Sequence, residues 1–90
     1  METRVVHCKR NKYDVLIDRT TVFGNPFIIG IDGTREEVIN SFRDWLRGNR
    51  FKEFRQPERK QLIQHIPILK EKVLGCWCSP KRCHGDILNN

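Results

Sequence analysis

The chain reads as a small α/β domain in which a short mixed or parallel sheet is packed by helices, with residues 1–90 forming one unit. Three observations predict this. Short apolar runs suited to strands fall near residues 4–7, 13–17 and 73–77. Between the second and third runs, residues 34–47 place apolar side chains at three-to-four spacing, the mark of an amphipathic helix. A length of 90 residues suits one core, near the size at which a single core still supports itself.

The first run, Val5-Val6-His7, ends at Cys8, and Lys9-Arg10-Asn11-Lys12 makes a basic turn. Tyr13-Asp14-Val15-Leu16-Ile17 follows as the second strand. Both runs are dense in apolar residues, as strands covered on both faces tend to be. A loop comes next, Asp18-Arg19-Thr20-Thr21-Val22-Phe23-Gly24-Asn25-Pro26-Phe27. Gly24 admits positive φ, and Asn25 is pushed towards extended geometry by Pro26. Arg19 and Asn25 are candidates to hold a ligand, and Asn25 suits at least as well a turn in which it caps its own backbone.

Asp32-Gly33 signals a turn, and Thr34-Arg35-Glu36-Glu37 a capping box that opens the first helix. Val38, Ile39, Phe42, Trp45 and Leu46 make its inner face, so Trp45 reads as packing, and Gly48 is a natural stop. In Asn49-Arg50-Phe51-Lys52-Glu53-Phe54-Arg55 aromatic and basic residues alternate. That suits single-stranded nucleic acid, or a loop whose two rings fold under while the charged heads stay in water. Pro57 opens a second helix over 57–65, with His65 facing its C-terminal dipole. Pro67 breaks the ladder, so a new turn over 67–71 leads into the last strand.

The formal net charge is +6 at pH 7, which favours an anionic partner, either a small molecule or nucleic acid. No hydrophobic leader or membrane-length apolar stretch is present, so a cytoplasmic setting is expected. There, four cysteines serve more often as thiols, metal ligands or catalytic groups than as disulfides.

The chemistry gathers in Gly75-Cys76-Trp77-Cys78-Ser79-Pro80-Lys81-Arg82-Cys83-His84-Gly85-Asp86. In an extended strand Cys76 and Cys78 share one face and Trp77 points to the other. A turn at Ser79-Pro80-Lys81-Arg82 then returns Cys83 and His84, at a helix start, over the strand end. One reading is a zinc site built from Cys76, Cys78, Cys83 and His84, a Cys₃His set with C-x-C-x₄-C-H spacing. Cys8 or His7 could complete it if the first strand lies beside the last. Another is a ligand pocket with catalytic capacity. A thiol at a helix start has a lowered pKa, so Cys83 would be a nucleophile, with His84 and Asp86 as the acid–base pair. A third is purely structural: Cys76 acts as a small buried hydrophobe, and His84 and Asp86 as capping residues.

Several of these residues form a pattern. Arg19, the segment Val22-Phe23-Gly24-Asn25-Pro26-Phe27, the run Asp32-Gly33-Thr34-Arg35-Glu36-Glu37-Val38, and Gly75-Cys76-Trp77-Cys78 with Cys83-His84-Gly85-Asp86 resemble a domain-of-unknown-function family, numbered 4326, found in bacteria and tailed bacteriophages. The family usually has Gly before the Arg and Trp before the Gly, where this chain has Asp18 and Phe23. The resemblance implies a small α/β domain of bacterial or phage origin, in the latter case at work in the host cytoplasm. It also implies that Arg19, Asn25, Cys83, His84 and Asp86 belong to one site, and it carries no activity with it.

The leading expectation is a domain that binds a small nucleotide- or phosphate-type ligand, with an enzyme acting on nucleoside or phosphorylated substrates as its fuller form. Arg19 and Asn25 would hold the ligand, and Cys83, His84 and Asp86 would do the chemistry. The alternative is a zinc-stabilised module that binds nucleic acid through Lys9, Arg10, Lys12, Arg50, Lys52, Lys81 and Arg82.

Overall fold

The computed structural model describes residues 3–78 and 81–88. The expected turn residues Ser79 and Pro80, and the end of the last helix at Asn89 and Asn90, lie outside the described residues. The elements follow in the order β1 (Arg4–His7), β2 (Val15–Leu16), α1 (Arg35–Leu46), α2 (Gln56–His65), a 3₁₀ turn (Ile66–Leu69), β3 (Val73–Cys76) and α3 (Gly85–Leu88). The strand order is β1-β3-β2, and both pairings are parallel. The last strand in sequence is thus the central one. Val5 and Val15 flank Leu74, while Val6 and Leu16 flank Gly75.

The two faces of β3 have different partners. Leu74 and Cys76 point into the core, which they share with Val38, Ile39, Phe42 and Trp45 of α1. Gly75 points the other way, beneath the chain that crosses from β1 to β2. A Cβ there would fall 2.6 Å from the Tyr13 ring, so the crossover lies close to the sheet only because residue 75 has no side chain. Tyr13 is therefore part of the cover and outside the strand, and β2 is shorter than the expected 13–17. The ladder nonetheless runs past it at both ends, Asp14 N–H donating to Val73 O at 2.8 Å and Ile17 N–H to Gly75 O at 2.9 Å.

The helix α1 begins as the sequence predicts. Thr34 Oγ1 accepts from Glu37 N–H, and Glu37 returns the bond to Thr34 N–H. Gly48, with φ of 77°, ends it in the left-handed region. Trp45 is packed in the core, its Nε1–H donating to Phe54 O at 2.7 Å. Phe51 and Phe54 lie on the Phe27 ring at 4.9 and 5.2 Å, each still more than a third exposed. In α2, Pro57 sits in the first turn and His65 Nδ1 meets Gln61 O in the last. The helix α3 starts at Gly85 instead of Cys83, because the Asp86 carboxylate accepts from Cys83 N–H and makes residues 83–84 its entry turn.

Candidate functional site

All three strands run the same way, so their carboxyl ends (His7, Leu16 and Cys76) lie along one edge. In open parallel sheets ligands bind outside that edge. Here it opens into a cleft of about 120 Å³. Its buried side holds Cys76, Cys83 and His84, and its rim carries Arg19, Arg35 and Arg82 together with Trp77.

His84 is the keystone of the buried side. Its Nε2 lies 2.8 Å from both Ile17 O and Phe23 O, two acceptors with no hydrogen to give. The proton must therefore sit on Nε2, and the lone pair of the neutral ring on Nδ1. Burial lowers the His84 pKa, against the pull of the two carbonyls, and nearby Arg19 lowers it further. The imidazole is neutral at physiological pH and ties the chain after β2 to the entry of α3. Its ring also meets Phe42 edge-on at 5.2 Å.

The two buried thiols face each other beside it. Cys76 Sγ donates to Cys83 Sγ at 3.0 Å, and Gly85 N–H donates to Cys83 Sγ at 3.3 Å. The bond from Cys76 and burial push the Cys83 thiol well above its ordinary value. This overturns the lowered pKa expected of a helix start: a buried thiol with a second sulfur at its side keeps its proton. The Sγ atoms of Cys76 and Cys83 and a ring nitrogen of His84 all lie within 4.8 Å of one another. Among the described residues that cluster has three members. Cys78 lines the same cleft but is not in the cluster, and His7 and Cys8 are in neither.

The rim is built differently. Arg19 follows β2 and is exposed, with no hydrogen bond or ion pair among the described residues. Its backbone is held by Gly24, where a Cβ would fall 2.6 Å from Arg19 Cα and 2.7 Å from Asp18 O. Gly24 is needed for this close approach, and not for the positive φ that the sequence suggested, since its φ is ordinary. Arg35 comes from the first turn of α1 and donates through Nη1 to Arg82 O at 3.2 Å. Arg82 in turn pairs with Glu36. Trp77 lies past the end of β3, where alternation no longer governs its direction. Its Nε1–H donates to Asp18 Oδ2 at 3.1 Å, and Lys9 Nζ lies 5.2 Å from its ring centroid.

The structure thus brings Arg19, Asn25, Cys76, Cys78, Cys83 and His84 to one cleft. Asn25 is buried, its Oδ1 accepting from Phe27 N–H and its Nδ2 donating to Val38 O, so the amide fixes the loop while facing the cleft. Asp86 spends an oxygen on Cys83 N–H. The basic residues divide. Lys9 and Arg82 stand near the cleft, whereas Arg50 pairs with Asp44 and, with Lys52, lies past the far end of α1. Arg10, Lys12 and Lys81 are exposed. Sequence reasoning missed Arg35 and Trp77. Arg35 had a usable signal, because a helix entered from the end of a strand starts on the ligand edge of the sheet.

The comparisons agree with the resemblance read from the motifs. The family model described as a domain of unknown function, DUF4326, matches residues 4–90. An uncharacterised 12.4 kDa protein in the nrdA-td intergenic region of Enterobacteria phage T4 is 38% identical over 87 residues, covering 94% of this chain and 72% of the phage protein. No solved structure matches the chain. No helix among the described residues is long and apolar enough to cross a membrane. With its motifs meeting at one cleft and the family model covering nearly its whole length, the chain belongs to the DUF4326 family.

Proposed function

We propose that the cleft binds a small anionic ligand of the phosphate or nucleotide type. One observation carries the reading: three arginines from three separate segments line a single cleft at the carboxyl edge of a parallel sheet. Guanidinium groups offer paired donors that match phosphate oxygens. Arg19 is the principal ligand group, having no hydrogen bond or ion pair among the described residues, while Arg35 and Arg82 hold each other and Glu36 in place. The proposal stops at binding. Cys83 keeps its proton, Asp86 is bonded to Cys83 N–H, and one nitrogen of His84 serves two carbonyls.

Calorimetric titration with inorganic phosphate and pyrophosphate at low salt tests this. The wild-type chain is expected to bind, and Arg19→Ala to lose about tenfold in affinity, as for one charge-assisted contact worth about 1.5 kcal/mol. A wild-type chain that binds neither anion at millimolar concentration would sink the proposal.

A second reading, a zinc site, is favoured by the three-member cluster. Cys76 and Cys83 supply two sulfurs and His84 a ring nitrogen, and the bonds of Nε2 to two carbonyls leave Nδ1 as the lone pair that would ligate. Cys78, which lines the same cleft, is the candidate for a further ligand. A bound cation would reverse the pKa of Cys83 and hold it as thiolate. Elemental mass spectrometry on untagged protein is expected to give one zinc per chain, lost in Cys83→Ser. Metal-free wild-type protein would exclude the reading.

A further inference from the structure

We propose that Trp77 is the stacking platform for the base of a nucleotide whose phosphate is held by the arginines of the cleft. The inference rests on the anion-binding reading and names its ligand class. Size comes first. A cleft of about 120 Å³ accepts a phosphate-sized group, whereas pockets that enclose a whole drug-sized ligand measure about 300–1,000 Å³. A phosphorylated ligand seated here leaves the rest of itself at the rim.

Trp77 stands at that rim. It lines the cleft and is 52% exposed, whereas Trp45, the other tryptophan, is 2% exposed and belongs to the core. The exposed indole is also held in place. Nε1–H donates to Asp18 Oδ2 at 3.1 Å, His7 meets the ring edge-on at 6.2 Å between centroids, and Lys9 Nζ lies over it. The Asp18 carboxylate is itself braced by Thr20, through the hydroxyl and through the amide at 2.9 Å. An indole fixed in advance loses little rotamer entropy when a second ring covers it. Asp18 immediately precedes Arg19, so one loop orients both the stacking surface and the cation. Base–aromatic stacking tolerates any base, because every base has a π face.

The test is titration of the full, untagged chain with 5′-AMP, ribose 5-phosphate and inorganic phosphate at low salt, read by calorimetry and by tryptophan emission. AMP is expected to bind about tenfold more tightly than ribose 5-phosphate and to quench the emission of Trp77. Trp77→Leu should bring AMP down to the ribose 5-phosphate level, a loss of about tenfold, while Trp77→Phe keeps most of the preference. Melting curves confirm that both variants are folded. Two results overturn the inference and leave the anion-binding reading standing. One is equal binding of AMP and ribose 5-phosphate by the wild type. The other is a Phe variant as impaired as the Leu variant, which would trace the effect to the lost Asp18 bond. Failure of all three probes to bind removes both. A 5′-phosphorylated trinucleotide separates the two sources of such a unit: binding that matches AMP assigns it to a strand end, and weaker binding to a free nucleotide.

Discussion

The buried side of the cleft and its rim both carry residues able to do chemistry, yet they do opposite work. His84, Cys76 and Cys83 are almost wholly buried and bonded to one another or to backbone. Arg19 and Trp77 are exposed, and Arg19 has no partner among the described residues. A buried polar group is costly unless satisfied, so the inner residues are spent on holding the chain together. An exposed cation costs little to leave unpaired, so the rim can wait for a ligand. Substitutions inside should therefore destabilise the protein, and substitutions at the rim should mainly change what it binds.

The largest effect expected is that of His84→Ala. It strips two buried carbonyls of their donor and leaves a cavity, at a cost of about 2–4 kcal/mol, which lowers Tm by at least ~8 °C. Thermal unfolding followed by circular dichroism measures it. A variant that melts with the wild type would break the contrast between the two regions.

A smaller effect follows from acid. The His84 pKa in the folded chain lies below its ordinary value of 6.5. Between these two values the unfolded state binds a proton that the folded state does not. Stability from this group is therefore complete above pH 6.5 and is lost as pH falls through that window. The slope from one such site is at most about 1.4 kcal/mol per pH unit. Denaturant titrations at pH 7.5 and 5.5 should show the loss, and His84→Asn should flatten it. An unchanged slope in the variant would mean that His84 is not the acid-sensitive group.

The smallest effect sharpens the other side of the comparison. Arg19→Ala should leave the unfolding free energy within about 0.5 kcal/mol of wild type, since its side chain has no hydrogen bond or ion pair to lose among the described residues. A larger loss would show that the rim, too, holds the fold together.

Much of the fold was legible in local chemistry. The capping box at Thr34 and Glu37, the stop at Gly48, the break at Pro67 and the apolar runs of β1 and β3 are each decided by neighbours within a few residues. The boundaries that moved did so for distant reasons: β2 is shortened because Tyr13 is drawn over Gly75, and α3 is delayed by the Asp86 bond to Cys83 N–H. The site was half legible. The motifs named Arg19, Asn25, Cys83, His84 and Asp86; the first four line one cleft, whereas Asp86 is not among its lining residues. Their division of labour was not legible, because the same histidine serves as a base, a ligand or a brace according to what faces it.

By itself, then, the sequence determined the element order, the helix limits set by caps and breakers, and most of the residues able to carry chemistry, Arg35 and Trp77 excepted. Only the tertiary structure decided that the sheet is wholly parallel with the last strand at its centre. It also decided that Cys83 keeps its proton beside Cys76, and that Trp77 turns to the rim to meet Asp18. For the sheet and for Trp77 the physical reason is distance along the chain, and for Cys83 it is the burial that the tertiary fold imposes on a thiol whose partner is only seven positions away. Caps, turns and periodicity act through bonds between near neighbours, whereas strand order, burial and the partners of a titrating group depend on residues some sixty positions away, such as Ile17 with His84 and Asp18 with Trp77.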